Sequence, residues 1–205
     1  QSDFIEYIDI TSTGNSTEFG NLITQKNYVA GCSSLTRGIF GGGYNGSALN
    51  QIDYITILST GNATDFGDLS VSRYGASGLS NSTRGVFGGG YTGSNNDTID
   101  YTIASTGNAS DFGNMQNARA FLAACASTTR GIIFGGDQTG GPTDTIDYIT
   151  IGSTGNASDF GNLSNNCSTQ AAFSSSTRGI NAGGGNGSGR HNVISYVTIA
   201  STGNA

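Results

Sequence analysis

Residues 59–67 read Ser-Thr-Gly-Asn-Ala-Thr-Asp-Phe-Gly, and close variants of this stretch recur along the whole chain. The tetrapeptide Ser-Thr-Gly-Asn starts at Ser12, Ser59, Ser105, Ser153 and Ser201, at spacings of 47, 46, 48 and 48 residues. A fixed period of this length is the signature of a repeat protein in which each copy forms one supersecondary unit. The repeat therefore decides the fold.

Two further series keep the same register. The tripeptide Thr-Arg-Gly places arginines at Arg37, Arg84, Arg130 and Arg178, spaced 47, 46 and 48 residues apart. An acid followed by Phe-Gly places phenylalanines at Phe19, Phe66, Phe112 and Phe160. The three series divide a single repeat domain, 1–205, into units at about 1–22, 23–69, 70–115, 116–163 and 164–205.

Each unit predicts four short strands. In the second copy the strands are expected at 74–79, 85–90, 98–105 and 110–115, separated by turns rich in Gly, Asn and Ser. Four strands in about 47 residues are typical of a propeller blade, so we predict an all-β, kelch-like propeller of four-stranded antiparallel blades. A one-residue deletion near 100–103 predicts a bulge or a shortened third strand.

The third strand of each unit is apolar on both faces. In Ile52-Asp53-Tyr54-Ile55-Thr56-Ile57 one face carries Ile52 and Tyr54 and the other carries Ile55 and Ile57. A strand with one buried face would alternate apolar and polar residues, so we expect each sheet to pack between two neighbours. The third-strand pattern occurs at both ends of the sequence, at 4–10 and 193–199, which favours a longer array or an assembly over one closed ring.

Composition excludes several classes of protein. Only 11% of residues are charged, and the 34 glycines among many Ser, Thr and Asn argue against helices and against a disordered chain. The net charge of −6 argues against a nucleic-acid partner. The sequence contains no run of 18 apolar residues, so no membrane-spanning segment is predicted. Residues 1–4 lack the pattern of a signal peptide.

The order of residues within a unit resembles the kelch repeat. Arg73 precedes the first strand, Val86-Phe87-Gly88-Gly89 enters a double glycine, Tyr101 follows the loop, and Phe112 stands where kelch repeats have a tryptophan. The amino-acid sequence of the repeats is also similar to that of repeats in large structural proteins of marine bacteriophages. The first resemblance implies a propeller, and the second implies an extracellular or virion-surface component.

The charged residues recur once per unit, which is typical of architecture because a catalytic site needs different groups in different environments. We therefore predict a protein that is not an enzyme: a structural or adhesive repeat domain that presents loops to a protein or glycan. The alternative is a propeller enzyme acting on carbohydrate. A copper oxidase would need several histidines, and the chain has only His191.

The loops after the glycines differ between units, and loops on a rigid scaffold are where binding usually resides. The candidate contact residues are Tyr44, Tyr91, Asp137, Arg190 and His191. No catalytic residue, metal ligand or cofactor is predicted. Calcium is the alternative, because Asp and Asn oxygens are frequent in the turns and in the 137–144 loop.

One column of the repeat is expected to be apolar and buried. It is occupied by Cys32, Leu79, Cys125 and Phe173, each five residues before the turn arginine of its unit. Small thiols at such positions are ordinary core residues, and no Cys-x-x-Cys pair suggests a metal site.

Overall fold

The computed structural model describes residues 2–102 and 104–205, and this part of the chain contains strands and turns without a helix. Four small antiparallel sheets are arranged as a four-blade β-propeller. The predicted all-β propeller is therefore confirmed. Within the described residues no helix is long and apolar enough to cross a membrane.

The chain begins with a two-stranded sheet and continues into two complete blades. The first sheet pairs β1 (Ser2–Tyr7) with β2 (Thr17–Lys26). Blade I contains β3 (Ala30–Ser33), β4 (Arg37–Gly41), β5 (Gln51–Thr56) and β6 (Thr64–Asp68) in that spatial order. Blade II contains β7 (Ser77–Ser80), β8 (Gly85–Gly88), β9 (Thr98–Thr102) and β10 (Ser110–Asn114).

The second half of the chain forms two more blades, each with a short hairpin. Blade III contains β11 (Ala123–Ala126), β12 (Arg130–Phe134), β14 (Gly141–Thr150) and β15 (Ser158–Cys167), and β13 (Asp137–Gln138) pairs with the start of β14. Blade IV contains β16 (Ala171–Ser174), β17 (Arg178–Ala182) and β20 (Ile194–Thr198). The strands β18 (Gly185–Asn186) and β19 (Gly189–Arg190) form a separate hairpin.

A register shift recurs where the third and fourth strands of a unit pair. It lies between Ile52 and Asp53 in blade I, and the same irregularity appears between Asp111 and Gly113 in blade II. The extra residue of this bulge is Phe66 or Phe112 on the fourth strand, and the shift also occurs in units without the deletion, so the bulge or shortened strand expected at 100–103 stays a prediction. Ile103, the last residue of that prediction, lies outside the described residues.

The third strands of blades I to III are buried on both faces, as the sequence predicts, whereas β20 of blade IV leaves Ile194 and Tyr196 exposed. In β14 the adjacent residues Ile146 and Asp147 point to opposite faces of the sheet, and both are fully buried. The apolar cores accordingly lie between blades. The core between blades II and III, for example, joins Leu79 and Val86 to Ile133 and Ile149.

The predicted buried column is wrong at its last member, and its first member, Cys32, is only half-buried. Leu79 and Cys125 are buried against the following blade, where an added Cβ at Gly131 would meet the Leu79 side chain at 2.7 Å. Phe173 is 63% exposed, because the described chain holds no blade after blade IV to cover it. Burial at this position thus comes from the neighbouring blade.

Candidate functional site

In blades I to III, a buried ion pair joins the segment before the first strand to the third strand of the same blade. Lys26 pairs with Asp53 at 3.0 Å, Arg73 pairs with Asp100 at 2.8 Å, and Arg119 pairs with Asp147. All six side chains are fully buried. A buried charge needs such a partner, since an isolated one is very costly in a low-dielectric interior.

Burial dominates the electrostatics of these pairs. Burial raises the pKa of Asp53 and Asp147 above the usual value for aspartate, although the nearby cations act in the opposite direction. Burial likewise lowers the pKa of the Arg73 and Arg119 guanidinium groups. The same arrangement in three units indicates a structural role for these charges.

The fourth unit replaces the ion pair with neutral groups. Cys167 and Ser195 occupy the positions of the cation and the acid. Burial raises the pKa of the Cys167 thiol, and a hydrogen bond with Asn181 lowers it in part. His191 lies beside these residues, and they line a cavity of about 10 Å³. A cavity of this size admits at most about one water molecule.

The turn arginines connect neighbouring blades. Each lies at or next to the start of a second strand, at the end of the blade opposite the glycines that follow that strand. Each guanidinium lies over the tyrosine of its own third strand, as Arg84 does over Tyr101 at 4.7 Å. Arg84 also donates a hydrogen bond to the Ile151 carbonyl of blade III at 2.8 Å. Arg37 and Arg130 make equivalent hydrogen bonds to the next blade.

Replacing Arg84 with methionine should destabilise the protein by about 1–3 kcal/mol, because a charge-assisted hydrogen bond and a cation–π contact are both lost. Arg178→Met is the matched control. Arg178 lies over Tyr196 at 4.5 Å, and its guanidinium has no carbonyl partner in the described part of the chain. Urea denaturation should show a clearly smaller loss for Arg178→Met, and equal losses would contradict the role given to the inter-blade bond.

A loop of each blade holds the fourth strand of the preceding unit. The Gly61 N–H donates to the Phe19 carbonyl at 2.8 Å, and the Ala63 N–H donates to the Asn21 carbonyl at 2.8 Å. The Asn62 Oδ1 accepts a third hydrogen bond from the Asn21 N–H at 3.0 Å. This three-bond clamp recurs in the loops at 107–109, 155–157 and 203–205.

The buried thiols are not suited to nucleophilic chemistry. Burial raises the pKa of Cys32 to about 12 and that of Cys125 to about 11. All three cysteines are free. Since the thiolate is the nucleophile, these raised pKa values disfavour the reactive form of Cys32 and Cys125 near neutral pH.

The loops singled out from the sequence lie together on one face of the propeller. Isolated bridges tie the segment entering each first strand to the segment that follows the glycines of the same unit. The bridged pairs are Asn27 with Tyr44, Tyr74 with Tyr91, Ala120 with Asp137, and Ser168 with Gly185. Arg190 joins this face because it pairs with Gly185 in the β18–β19 hairpin.

Two of the predicted contact residues belong to a larger aromatic cluster. Tyr74 is its centre, with the ring centroids of Tyr44 at 5.0 Å and Tyr91 at 5.5 Å. Tyr28 and Phe121 complete the cluster, at 5.9 Å and 6.0 Å from Tyr74. Sequence reasoning did not single out Tyr28, Tyr74 or Phe121, because they lie in the entry segments rather than in the variable loops.

The other three predicted residues lie beside this aromatic cluster or behind it. Asp137 and Arg190 line an open groove of about 590 Å³ together with Thr169. The His191 side chain points inward, because its Nε2 is buried without a hydrogen-bond partner among the described residues. Its backbone N–H donates to the Gly184 carbonyl at 3.0 Å. The structure therefore brings four of the five predicted residues to one surface and places His191 below it.

Two observations bear on other kinds of site. Among residues 2–102 and 104–205, no three His, Cys, Asp or Glu side chains come together as metal ligands would. A cavity of about 310 Å³ opens between blades I and II beside Arg37 and Arg84. Its polar lining residues Ser34 and Asn81 are already engaged in turn hydrogen bonds, so this cavity is a weaker candidate than the loop face.

Comparison with protein-family models found no match, and comparison with curated proteins found no significant relative.

Proposed function

We propose that the chain is a non-enzymatic structural or adhesive repeat domain, a rigid propeller that presents one loop face to a protein or a glycan. The observation that carries the proposal is the use of its charges. The buried cations form ion pairs, and three of the four turn arginines donate hydrogen bonds to the next blade. Few cations are therefore left for a catalytic role, while the aromatic cluster remains at the surface.

The finer identity is part of the same proposal. The order of arginine, double glycine, tyrosine and phenylalanine in the repeats supports a kelch-like unit. The similarity of the repeat sequence to bacteriophage structural proteins supports a virion or extracellular appendage component. Exposed glycine-rich loops on a rigid scaffold of low charge suit a protein whose role is to contact other molecules through its surface.

We also propose self-assembly or membership of a longer polypeptide. The loop at 12–15 has the sequence of the clamp, yet Gly14 and Asn15 make no clamp bonds within the described residues. At the other end Phe173 and Tyr196 are exposed on blade IV. Both surfaces match those that successive blades use to contact one another.

The proposal predicts that the protein has no turnover on carbohydrates. The test is a screen of the purified chain against glycosides for hydrolysis and against free sugars for oxidation, with native mass spectrometry to measure assembly. We expect no product above the rate of a His191→Ala variant. Turnover that is present in the wild type and lost in His191→Ala would overturn the proposal in favour of a propeller enzyme.

A further inference from the structure

The aromatic cluster on the loop face contains strained backbone. Tyr28 and Phe121 have φ angles of 55°, in the left-handed region that side chains with a Cβ rarely adopt. Their ring centroids are 5.7 Å apart. Strain of this kind persists where the surrounding structure enforces it, and it concentrates at binding sites.

The fold itself does not require aromatic residues at these positions. The equivalent residue of the second unit is Gly75, which adopts φ 62° without strain, and that of the fourth unit is Thr169. A Cβ on Gly75 would lie 2.8 Å from the Phe121 ring, so the glycine makes room for that ring. The column therefore departs from the repeat to assemble aromatic rings, whereas the ion-pair and turn-arginine columns largely hold to it.

The exposure of the rings suits a ligand rather than a core. Tyr28 is 59% exposed, and the other four rings are half-buried. Neighbouring rings are tilted by 35–79°, so they offer several separate ring faces rather than one flat apolar surface. Tyrosine supplies a large rigid contact area at low entropic cost and adds a hydroxyl that hydrogen-bonds.

The hydroxyl of the central tyrosine stays protonated over the physiological range. Burial raises the pKa of Tyr74, and the neighbouring Tyr91, Tyr44 and Tyr28 act in the same direction. A neutral phenol both donates and accepts hydrogen bonds. This property matches a ligand with hydroxyl groups.

A polar groove continues from the cluster. The Thr169 N–H donates to the Phe121 carbonyl at 2.8 Å, and Asp137 exchanges backbone hydrogen bonds with Ala120. Both residues therefore lie next to Phe121, at the edge of the aromatic cluster. The groove of about 590 Å³ that they line also contains Arg190, which is exposed. An acceptor and a donor thus lie beside the tilted rings, the combination by which small-molecule sites fix orientation.

We propose that the loop face binds a neutral oligosaccharide, with one pyranose ring stacked on the aromatic cluster and the next residues of the glycan in the polar groove. The net charge of −6 disfavours acidic glycans. The groove of about 590 Å³ has the size of a small-ligand site, whereas a protein partner would normally cover about 800 Å² per side. This inference rests on the proposed adhesive function and specifies its ligand.

The test uses isothermal titration of the whole chain with neutral hexasaccharides of glucose, mannose, galactose and N-acetylglucosamine. At least one should bind the wild type. Tyr28→Gly should weaken that binding roughly tenfold, because it removes the most exposed ring. Its melting temperature should stay at the wild-type value or rise, since glycine tolerates the φ of 55°.

Two further variants make the result specific. Tyr74→Ala removes the central ring and should abolish detectable binding. Tyr196→Ala is the matched control, an exposed tyrosine of blade IV outside the aromatic cluster, and should bind as the wild type does.

Two outcomes would overturn the inference. The first is a failure of all four sugars to bind a folded wild type, including the case in which the same face captures a protein instead. The second is binding that Tyr28→Gly leaves unchanged. Neither outcome affects the proposed scaffold function, which fails only if the chain shows turnover.

Discussion

Replacing Asp100 with alanine should lower the free energy of unfolding by about 3–5 kcal/mol, because the substitution leaves a buried guanidinium without its counter-ion. Arg73 would keep its hydrogen bonds to the Thr98 and Phe87 carbonyls but lose the carboxylate at 2.8 Å. Ser70 would also lose its acceptor, since its hydroxyl donates to Asp100 Oδ1 at 2.7 Å. Urea denaturation followed by circular dichroism measures the loss.

Two controls separate this effect from loss of any acid. Asp111→Ala removes an exposed carboxylate of the other acidic column and should cost less than about 1 kcal/mol. The double variant Arg73→Met with Asp100→Leu replaces the pair by apolar groups and should recover much of the stability lost in Asp100→Ala. A double variant as unstable as the single one would show that the ion pair itself is required.

Replacing Gly113 with alanine should destabilise the protein by about 2–4 kcal/mol, because strain and a backbone collision act together. Gly113 has φ 141°, and an added Cβ would lie 2.6 Å from the carbonyl of Gly155 in the clamp of the next blade. The clamp would have to open to relieve the contact. Hydrogen exchange at the Gly155 and Ala157 amides reports that opening directly, since both donate across the junction.

Gly152→Ala is the matched control for Gly113→Ala. Gly152 lies on an exposed turn of the same region, and an added Cβ there would meet nothing within 4 Å. Its stability should change by less than about 1 kcal/mol. If Gly113→Ala behaved in the same way, the close approach of the two blades at the clamp would be wrong.

The repeat series determined most of the fold in advance. The spacing of Arg84 and Phe112 within a unit placed four strands to within about three residues, because turn residues and apolar strands alternate at short range; the first strand, expected at 74–79, is Ser77–Ser80. The identity of the ion pairs could not be predicted in the same way. Two acidic columns run through the repeats, represented in the first complete unit by Asp53 and Asp65, and only the three-dimensional register shows that Asp53 faces the cation.

The candidate site was harder to predict than the fold. Tyr44 and Tyr91 were found because they follow the glycines, but the rings they contact come from segments that the sequence presents as linkers. One signal was available: Gly75 shares its column with Tyr28 and Phe121, and a glycine among aromatic residues indicates either positive φ or a close neighbour. Both conditions apply there.

The three-bond clamp gives the chain a direction under mechanical load. Each clamp joins the last strand of one unit to the blade that follows it, through hydrogen bonds of 2.7–3.1 Å. Because each repeat contacts mainly its neighbours, tension applied to the two ends would pass through the clamps in series. At each junction the clamp would share this load with the apolar core and the arginine hydrogen bond that also join the two blades.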